Sequence, residues 1–98
     1  MNDHEITPSE QFIYRYRQFQ SQGWMTLPVR HAMGRALEDI QADPSDHDGR
    51  MPRAMHDQPH WVKKCRFEDS GDTGLRVLYL MRDEGGVLLD DLYFNRGM

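Results

Sequence analysis

A first helix is indicated by aromatic residues that recur at helical spacing. Phe12, Tyr16 and Phe19 are separated by four and three positions, which places them on one helical face. The preceding segment TPSE, residues 7–10, is typical of a helix start, with Thr7 as the cap and a carboxylate three positions later. Gly23 suits the end of this helix. We predict a helix over this stretch whose aromatic face packs in the core.

A second helix follows after a short turn. Thr26 precedes Pro28, a residue favoured in the first helical turn, and apolar residues then recur at helical spacing at Val29, Met33, Leu37 and Ile40. Pro44 disfavours helix in the residue before it, so we expect this helix to end near Asp43. Gly34 in its interior suggests close packing against the first helix. The two helices are expected to form an antiparallel hairpin.

The hydrophobic period changes to two from Trp61 onward. Trp61 and Cys65 fall on one side of a strand, with Lys63 as a charged exception on that side. The segments LRVLYLMR and VLLDDLYF read as two further strands joined by a turn. The stretch 43–60, which contains three prolines, is predicted to be a long loop. We therefore predict one domain, residues 1–98, of α+β class, with an N-terminal helical hairpin packed on a three- to four-stranded antiparallel sheet.

Composition narrows the function classes. The 98-residue chain has a net charge of −4, so it lacks the overall positive charge of a general nucleic-acid binder. Cys65 is the single cysteine, which excludes an internal disulfide and suits a reducing compartment. The first residues show no signal-peptide pattern, and no apolar run approaches 18 residues. We therefore expect a soluble, cytoplasmic protein that does not act at a membrane.

The order of these elements resembles the RelE/ParE superfamily of bacterial toxins from type II toxin–antitoxin systems. EITPSEQFIYRYRQF resembles the family's opening, in which a short strand leads into a first helix, and RALEDIQADP resembles its second helix. KKCRF and LRVLYLMRDEGGVLLDDLYFNRG resemble its three consecutive strands. The similarity covers about 90 residues. It implies a RelE-like fold.

The resemblance also implies a chemistry and the residues that perform it. Ribosome-dependent members cut mRNA by driving a ribose 2′-OH onto the adjacent phosphate, without a metal ion or other cofactor. By position, the catalytic candidates in this chain are Lys64, Arg66, Arg76 and Arg96. Lys64 would accept the 2′-OH proton, Arg66 and Arg76 would bind the phosphate, and Arg96 would orient it or support the leaving oxygen. Because Lys64 and Arg66 lie two positions apart, they are expected to share one face of a strand.

Four further residues are candidates for substrate binding: Lys63, Tyr79, Tyr93 and His60. Active members often carry an additional Tyr or a His-Tyr pair near the C-terminus, and here Tyr93, His56 or His60 would have to take that role. The resemblance implies two partners: a cognate antitoxin, which lays an acidic or amphipathic segment across the basic face, and the ribosome with its mRNA.

The sequence is also compatible with other functions. A non-catalytic inhibitor on the same scaffold would suit an acidic chain, either as a ParE-like gyrase poison or as a phage or mobile-element protein that binds a host complex. Lys64 and Arg66 have a simpler interpretation as a solvated strand face. Arg76 has one as a partner of Asp90 or Asp91 across the hairpin. The acidic, histidine-containing loop could bind a divalent metal through Asp46, His47, Asp48, His56 and His60, but the sequence shows no helix there to align the histidines, and we expect no metal site.

Overall fold

The computed structural model describes residues 4–51 and 60–95. Within these ranges the chain forms two helices and five strands. In chain order they are β1 (Ile6–Pro8), α1 (Glu10–Ser21), α2 (Leu27–Ala42), β2 (Gly49–Met51), β3 (His60–Arg66), β4 (Asp72–Met81) and β5 (Val87–Phe94). The strands form one sheet with the spatial order β1-β5-β4-β3-β2. The predicted α+β class is therefore confirmed.

The predicted sheet of three or four antiparallel strands is wrong, because the sheet has five strands and is mixed. β3, β4 and β5 pair antiparallel as expected, but β1 pairs parallel with β5, and β2 pairs with the outer edge of β3. Each of the two added strands has only three residues, too few to show a period-two pattern. They form because the edges of β5 and β3 present unpaired backbone donors and acceptors.

The start of α1 also differs from the prediction. Thr7 and Pro8 belong to β1, and the helix is capped by Ser9, whose Oγ accepts a hydrogen bond from the Phe12 N–H at 3.0 Å. The hydroxyl of Ser9 also donates to the carbonyl oxygen of Asp90 at 2.9 Å, and its own N–H donates to Leu89. Pairing of β1 with β5 keeps residues 6–8 extended, so the cap moves to the first residue after the strand.

The two helices cover different strands on one face of the sheet. α1 lies against β5 and β1, whereas α2 lies against β3 and β4. The predicted aromatic face of α1 is confirmed, since Phe12 and Phe19 are buried and Tyr16 packs beside them. The rest of the core comes from Met25 between the helices, from the inner face of α2 and from alternate residues of the strands: Val29, Ala32, Ala36, Ile40, Cys65, Leu75, Val77, Tyr79, Val87, Leu89 and Leu92. α2 begins after Thr26 and ends at Ala42 with Asp43 as its C-cap, which confirms the predicted end near Asp43.

The sheet contains two register shifts, one between β3 and β4 and one between β4 and β5, and the second changes the direction of side chains on β5. Between β4 and β5, Leu78 pairs with Asp91 and Tyr79 pairs with Leu89, so Asp90 is an extra residue in β5. Asp90 contacts Nε2 of His60 at 2.5 Å, whereas Asp91 accepts a hydrogen bond from Nε of Arg15 on α1 at 3.3 Å. Two consecutive carboxylates are thereby directed to different parts of the fold.

The helical glycine of α2 has no packing reason in the described structure. A Cβ atom added at Gly34 would meet nothing within 4 Å, so the expected close approach to α1 is not what this residue provides. We predict that Gly34→Ala raises the free energy of unfolding by about 1 kcal/mol, because alanine loses less backbone entropy in a helix. Urea denaturation of the two proteins measures the difference. A lower midpoint for the variant would contradict the prediction.

Candidate functional site

Three predicted site residues lie side by side on neighbouring strands. Lys64 of β3 is directly opposite Arg76 of β4, and Arg76 is directly opposite Tyr93 of β5. Each alternates with core residues of its own strand, so all three side chains belong to the sheet face that points away from the helices. Side chains opposite each other in antiparallel strands have Cβ atoms about 5 Å apart. We call Lys64, Arg76 and Tyr93 the cross-strand row.

The arginine of this row is already bound to a carboxylate. Both terminal nitrogens of Arg76 donate to Asp72, Nη1 to Oδ1 and Nη2 to Oδ2, each at 2.8 Å. The Arg76 side chain is 6% exposed, and that of Asp72 is 46% exposed, so the carboxylate covers the guanidinium from the solvent side. This two-bond geometry is the strongest form of an arginine–carboxylate pair. The alternative from sequence, an ion pair of Arg76 with Asp90 or Asp91, is not formed, because Arg76 binds Asp72.

The pair shifts the protonation of both partners. Hydrogen bonds from Arg76 hold the pKa of Asp72 well below its ordinary range, and the Gly74 N–H, which donates to Oδ1, lowers that pKa further. The same contact raises the pKa of Arg76. An aspartate whose folded-state pKa lies below the unfolded value of about 3.9 contributes stability above that pH. This contribution is lost as the pH falls towards the folded-state pKa.

Lys63 is not part of the row, and Arg66 lies beyond it, opposite Asp72 at the start of β4. Lys63 points to the helix side of the sheet, where its Nζ donates to the Asp46 carbonyl oxygen at 2.8 Å, which explains a lysine at an apolar position. A register shift follows Lys64, and the guanidinium of Arg66 lies 3.5 Å from Asp48. Asp48 also accepts a hydrogen bond from the Lys64 N–H at 2.7 Å. Asp48 therefore ties the end of β3 to the segment that precedes β2.

A polar cleft of about 410 Å³ lies between α2 and β3 and brings together three of the predicted basic residues, Lys63, Lys64 and Arg66. Its charged lining is balanced, with four basic and four acidic residues: Arg35, Lys63, Lys64, Arg66, Glu38, Asp39, Asp48 and Glu68. A site that binds RNA mainly through phosphates needs an excess of positive charge. This cleft therefore has no electrostatic preference for a polyanion.

Two predicted substrate-binding residues are fully buried. Tyr79 is 0% exposed, its hydroxyl donates to the Pro44 carbonyl oxygen at 2.6 Å, and burial raises its pKa. His60 is also buried, against Asp90. Neither residue presents a surface to a substrate in this structure. Tyr93 is half-buried in the cross-strand row, and Arg96 and His56 lie outside the described residues.

Of the cross-strand row, Arg76 lines a second cavity, of about 550 Å³, whereas Lys64 and Tyr93 are not among its lining residues. Asp72, Thr73, Gly74 and Arg76 supply its polar side from the start of β4. Its apolar side includes Trp24, Val29 and Phe94, and the Trp24 ring stacks on Phe19 with ring centres 5.6 Å apart. Gly74 has φ of +86°, and a Cβ there would meet the Asn95 carbonyl oxygen at 3.1 Å, so the wall requires glycine.

Asp72 and Trp24 are the site residues that sequence reasoning missed. Asp72 lies four positions before Arg76, and an even spacing in a strand places two residues on one face. This spacing can be read from the sequence, but it indicates a shared face only if Asp72 and Arg76 lie in the same strand, and β4 begins at Asp72. Trp24 follows the glycine that ends α1 and carries no periodic signal. It reaches the cavity because it packs against Phe19 and Phe94.

Within residues 4–51 and 60–95, no group of three or more His, Cys, Asp or Glu side chains is arranged to hold a metal ion. The alternative metal site therefore has no support from Asp46, His47, Asp48 and His60, and its fifth residue lies outside these ranges. In the same part of the chain, no helix combines the length and apolar character that crossing a membrane requires.

No protein-family model matches the chain, and neither a curated protein nor a solved structure matches it. Its function is therefore inferred from its own residues. These residues offer an amine, a guanidinium and a phenol on three adjacent strands, and the guanidinium lies beside a cavity with one aromatic wall.

Proposed function

We propose that this protein is a toxin-type endoribonuclease with a RelE/ParE-like architecture, which cuts mRNA on the ribosome without a metal ion. The observation that carries the proposal is the strand register that places Lys64, Arg76 and Tyr93 next to one another. These three residue types can supply a proton acceptor, an oxyanion ligand and a proton donor. The proposed action takes place in the bacterial cytoplasm and inhibits translation.

In the proposed reaction, the ribose 2′-oxygen forms a bond to the adjacent phosphorus and the bond from phosphorus to the 5′-oxygen breaks. The amine of Lys64, in its neutral form, accepts the 2′-OH proton. Arg76 binds the phosphate and stabilises the negative charge that develops on it. Tyr93 donates its proton to the leaving 5′-oxygen. The products are a 2′,3′-cyclic phosphate and a 5′-hydroxyl.

The order of the elements supports the RelE/ParE-like assignment. A short strand leads directly into the first capped helix, a second helix follows, and three consecutive antiparallel strands come last. The additional strand β2 occupies the outer edge of β3. A toxin of this type would be held by a cognate antitoxin, and we propose such a protein as the partner.

A non-catalytic inhibitor on the same scaffold is the second candidate. It is favoured by the carboxylates that compensate the basic residues, since Asp72 binds Arg76 and Asp48 lies beside Arg66. The net charge of −4 points the same way, because binding to ribosomal RNA would be opposed by the acidic surface. Such a protein would act by contact with gyrase or with another host complex.

A translation reaction with purified ribosomes and a defined message distinguishes the two candidates. We expect the protein to cut the message at specific sites when ribosomes are present and to leave cyclic-phosphate ends. The reaction is run with and without chelator, and isolated message serves as the control for ribosome dependence. If the message stays intact while expression of the protein arrests growth, the nuclease proposal fails and the inhibitor is supported.

A further inference from the structure

The carboxylate of Asp72 occupies the position that a phosphate would take on Arg76. Arginine binds carboxylates and phosphates with the same two parallel hydrogen bonds. Both bonds to Asp72 are 2.8 Å long, and the guanidinium has little other exposed surface. A phosphodiester cannot make the same two-bond contact with Nη1 and Nη2 while these bonds remain.

We propose that Asp72 is a built-in competitor of the substrate phosphate, so that the site is an anion site held closed by the protein's own carboxylate. The inference rests on the proposed function of the cross-strand row and adds a regulatory element to it. With Asp72 included, the local charge of Lys64, Arg76 and Asp72 is +1, and displacement of the carboxylate raises the charge facing the ligand to +2.

The position of Asp72 allows this displacement. It is the first residue of β4, and its side chain is 46% exposed, so it can rotate towards solvent without leaving a cavity in the core. Its other bond, from the Gly74 N–H at 2.8 Å, closes a local turn two residues long. Arg76, in contrast, is held in place by burial and by a bond from Nη1 to the Leu75 carbonyl oxygen at 3.3 Å.

The cavity beside the pair suits the rest of a nucleotide. Its volume of about 550 Å³ lies on the side of Arg76 where Trp24 and Phe94 form an aromatic wall. Trp24 is 37% exposed, so its ring is accessible from solvent. Bases stack on such rings with little dependence on sequence. The ligand class is therefore single-stranded RNA, with one phosphate on Arg76 and a neighbouring base against the wall.

The test compares the affinities of the unmodified protein and of its variants for a fluorescent single-stranded RNA. The 2′-hydroxyls of this RNA are methylated, so that cleavage does not interfere. Asp72→Asn keeps the size of the side chain and an oxygen that accepts from the Gly74 N–H, but removes the charge. We expect Asp72→Asn to bind this RNA roughly tenfold more tightly than the unmodified protein. The slope of log affinity against log salt should increase by about 0.7, the value for one added phosphate contact on a single strand.

Asp69→Asn is the matched control. Asp69 accepts from the Gly71 N–H in the same kind of turn, at 2.9 Å, and is exposed. Asp69→Asn removes the same charge three positions from Asp72. It should leave the affinity for the RNA within about twofold of that of the unmodified protein. Thermal unfolding checks that each variant is folded, and Asp72→Ser, whose hydroxyl can also accept from the Gly74 N–H, repeats the test if Asp72→Asn does not fold.

The outcomes separate this inference from the proposed function. Equal affinities for Asp72→Asn and the unmodified protein would overturn the competitor role, as would an equal gain in Asp69→Asn, because the gain would then come from net charge. Tighter binding by Asp72→Asn together with an uncut message would support the competitor role and reject the nuclease.

Discussion

Replacing Tyr79 with alanine is expected to lower the free energy of unfolding by about 3–5 kcal/mol. Tyr79 has no exposed surface, and its ring meets Trp61 edge to face with ring centres 6.0 Å apart. Truncation removes this packing and leaves a cavity in the centre of the sheet. Because small domains are stable by about 5–15 kcal/mol, the loss would be a large share of the total. Urea denaturation followed by circular dichroism measures it.

Tyr79→Phe is the matched variant that separates the ring from the hydroxyl. It keeps the packing but leaves the buried Pro44 carbonyl oxygen without the donor at 2.6 Å, and we expect a loss of about 1–2 kcal/mol. Because Tyr79 lies in the core, Tyr79→Phe should cut the message as the unmodified protein does. A variant with unchanged stability but impaired cleavage would contradict the structural role and restore the predicted contact with substrate.

Replacing Lys64 with methionine is expected to reduce the rate of message cleavage by about 10²–10⁴-fold, the usual contribution of a general base. Methionine has a similar length and no titratable group, so the strand and its pairing with Arg76 should persist. Lys64 is partly exposed, and we expect the free energy of unfolding to change by less than about 0.5 kcal/mol. Single-turnover cleavage and urea denaturation are measured on the same preparation.

Arg82→Gln is the control for Lys64→Met, because it removes one positive charge from an exposed position just after β4. It should leave the cleavage rate nearly unchanged. Equal losses in the two variants would mean that general electrostatic attraction, and not proton transfer at Lys64, accounts for the effect. A normal rate in Lys64→Met would remove that lysine from the proposed mechanism.

The helices and the three long strands could be predicted because their signals are local. The aromatic spacing of α1 and the proline that follows Asp43 act within one or two turns of helix. Likewise, the alternation in β3 correctly placed Cys65 in the core and marked Lys63 as an exception. The exception is explained by a long-range contact, since the Lys63 ammonium reaches the Asp46 carbonyl oxygen 17 residues away.

Part of the candidate site was also accessible from sequence. The resemblance named Lys64, Arg76 and Tyr93, and the strand register then placed them side by side. It could not show that Arg76 is bound by Asp72. That contact requires both residues to be in one strand, and the predicted strand began after Asp72.

Local patterning was enough to specify the elements whose hydrophobic period repeats over seven or more residues, because such a pattern defines one buried face without reference to any other segment. Contacts between distant segments were needed to place the two short edge strands, the Ser9 cap, the extra residue in β5 and the pairing of Arg76 with Asp72. β1 illustrates the reason: Ile6 pairs with Val87, 81 positions further along the chain. Nothing in residues 6–8 encodes that partner, which is available only after β5 has joined the sheet.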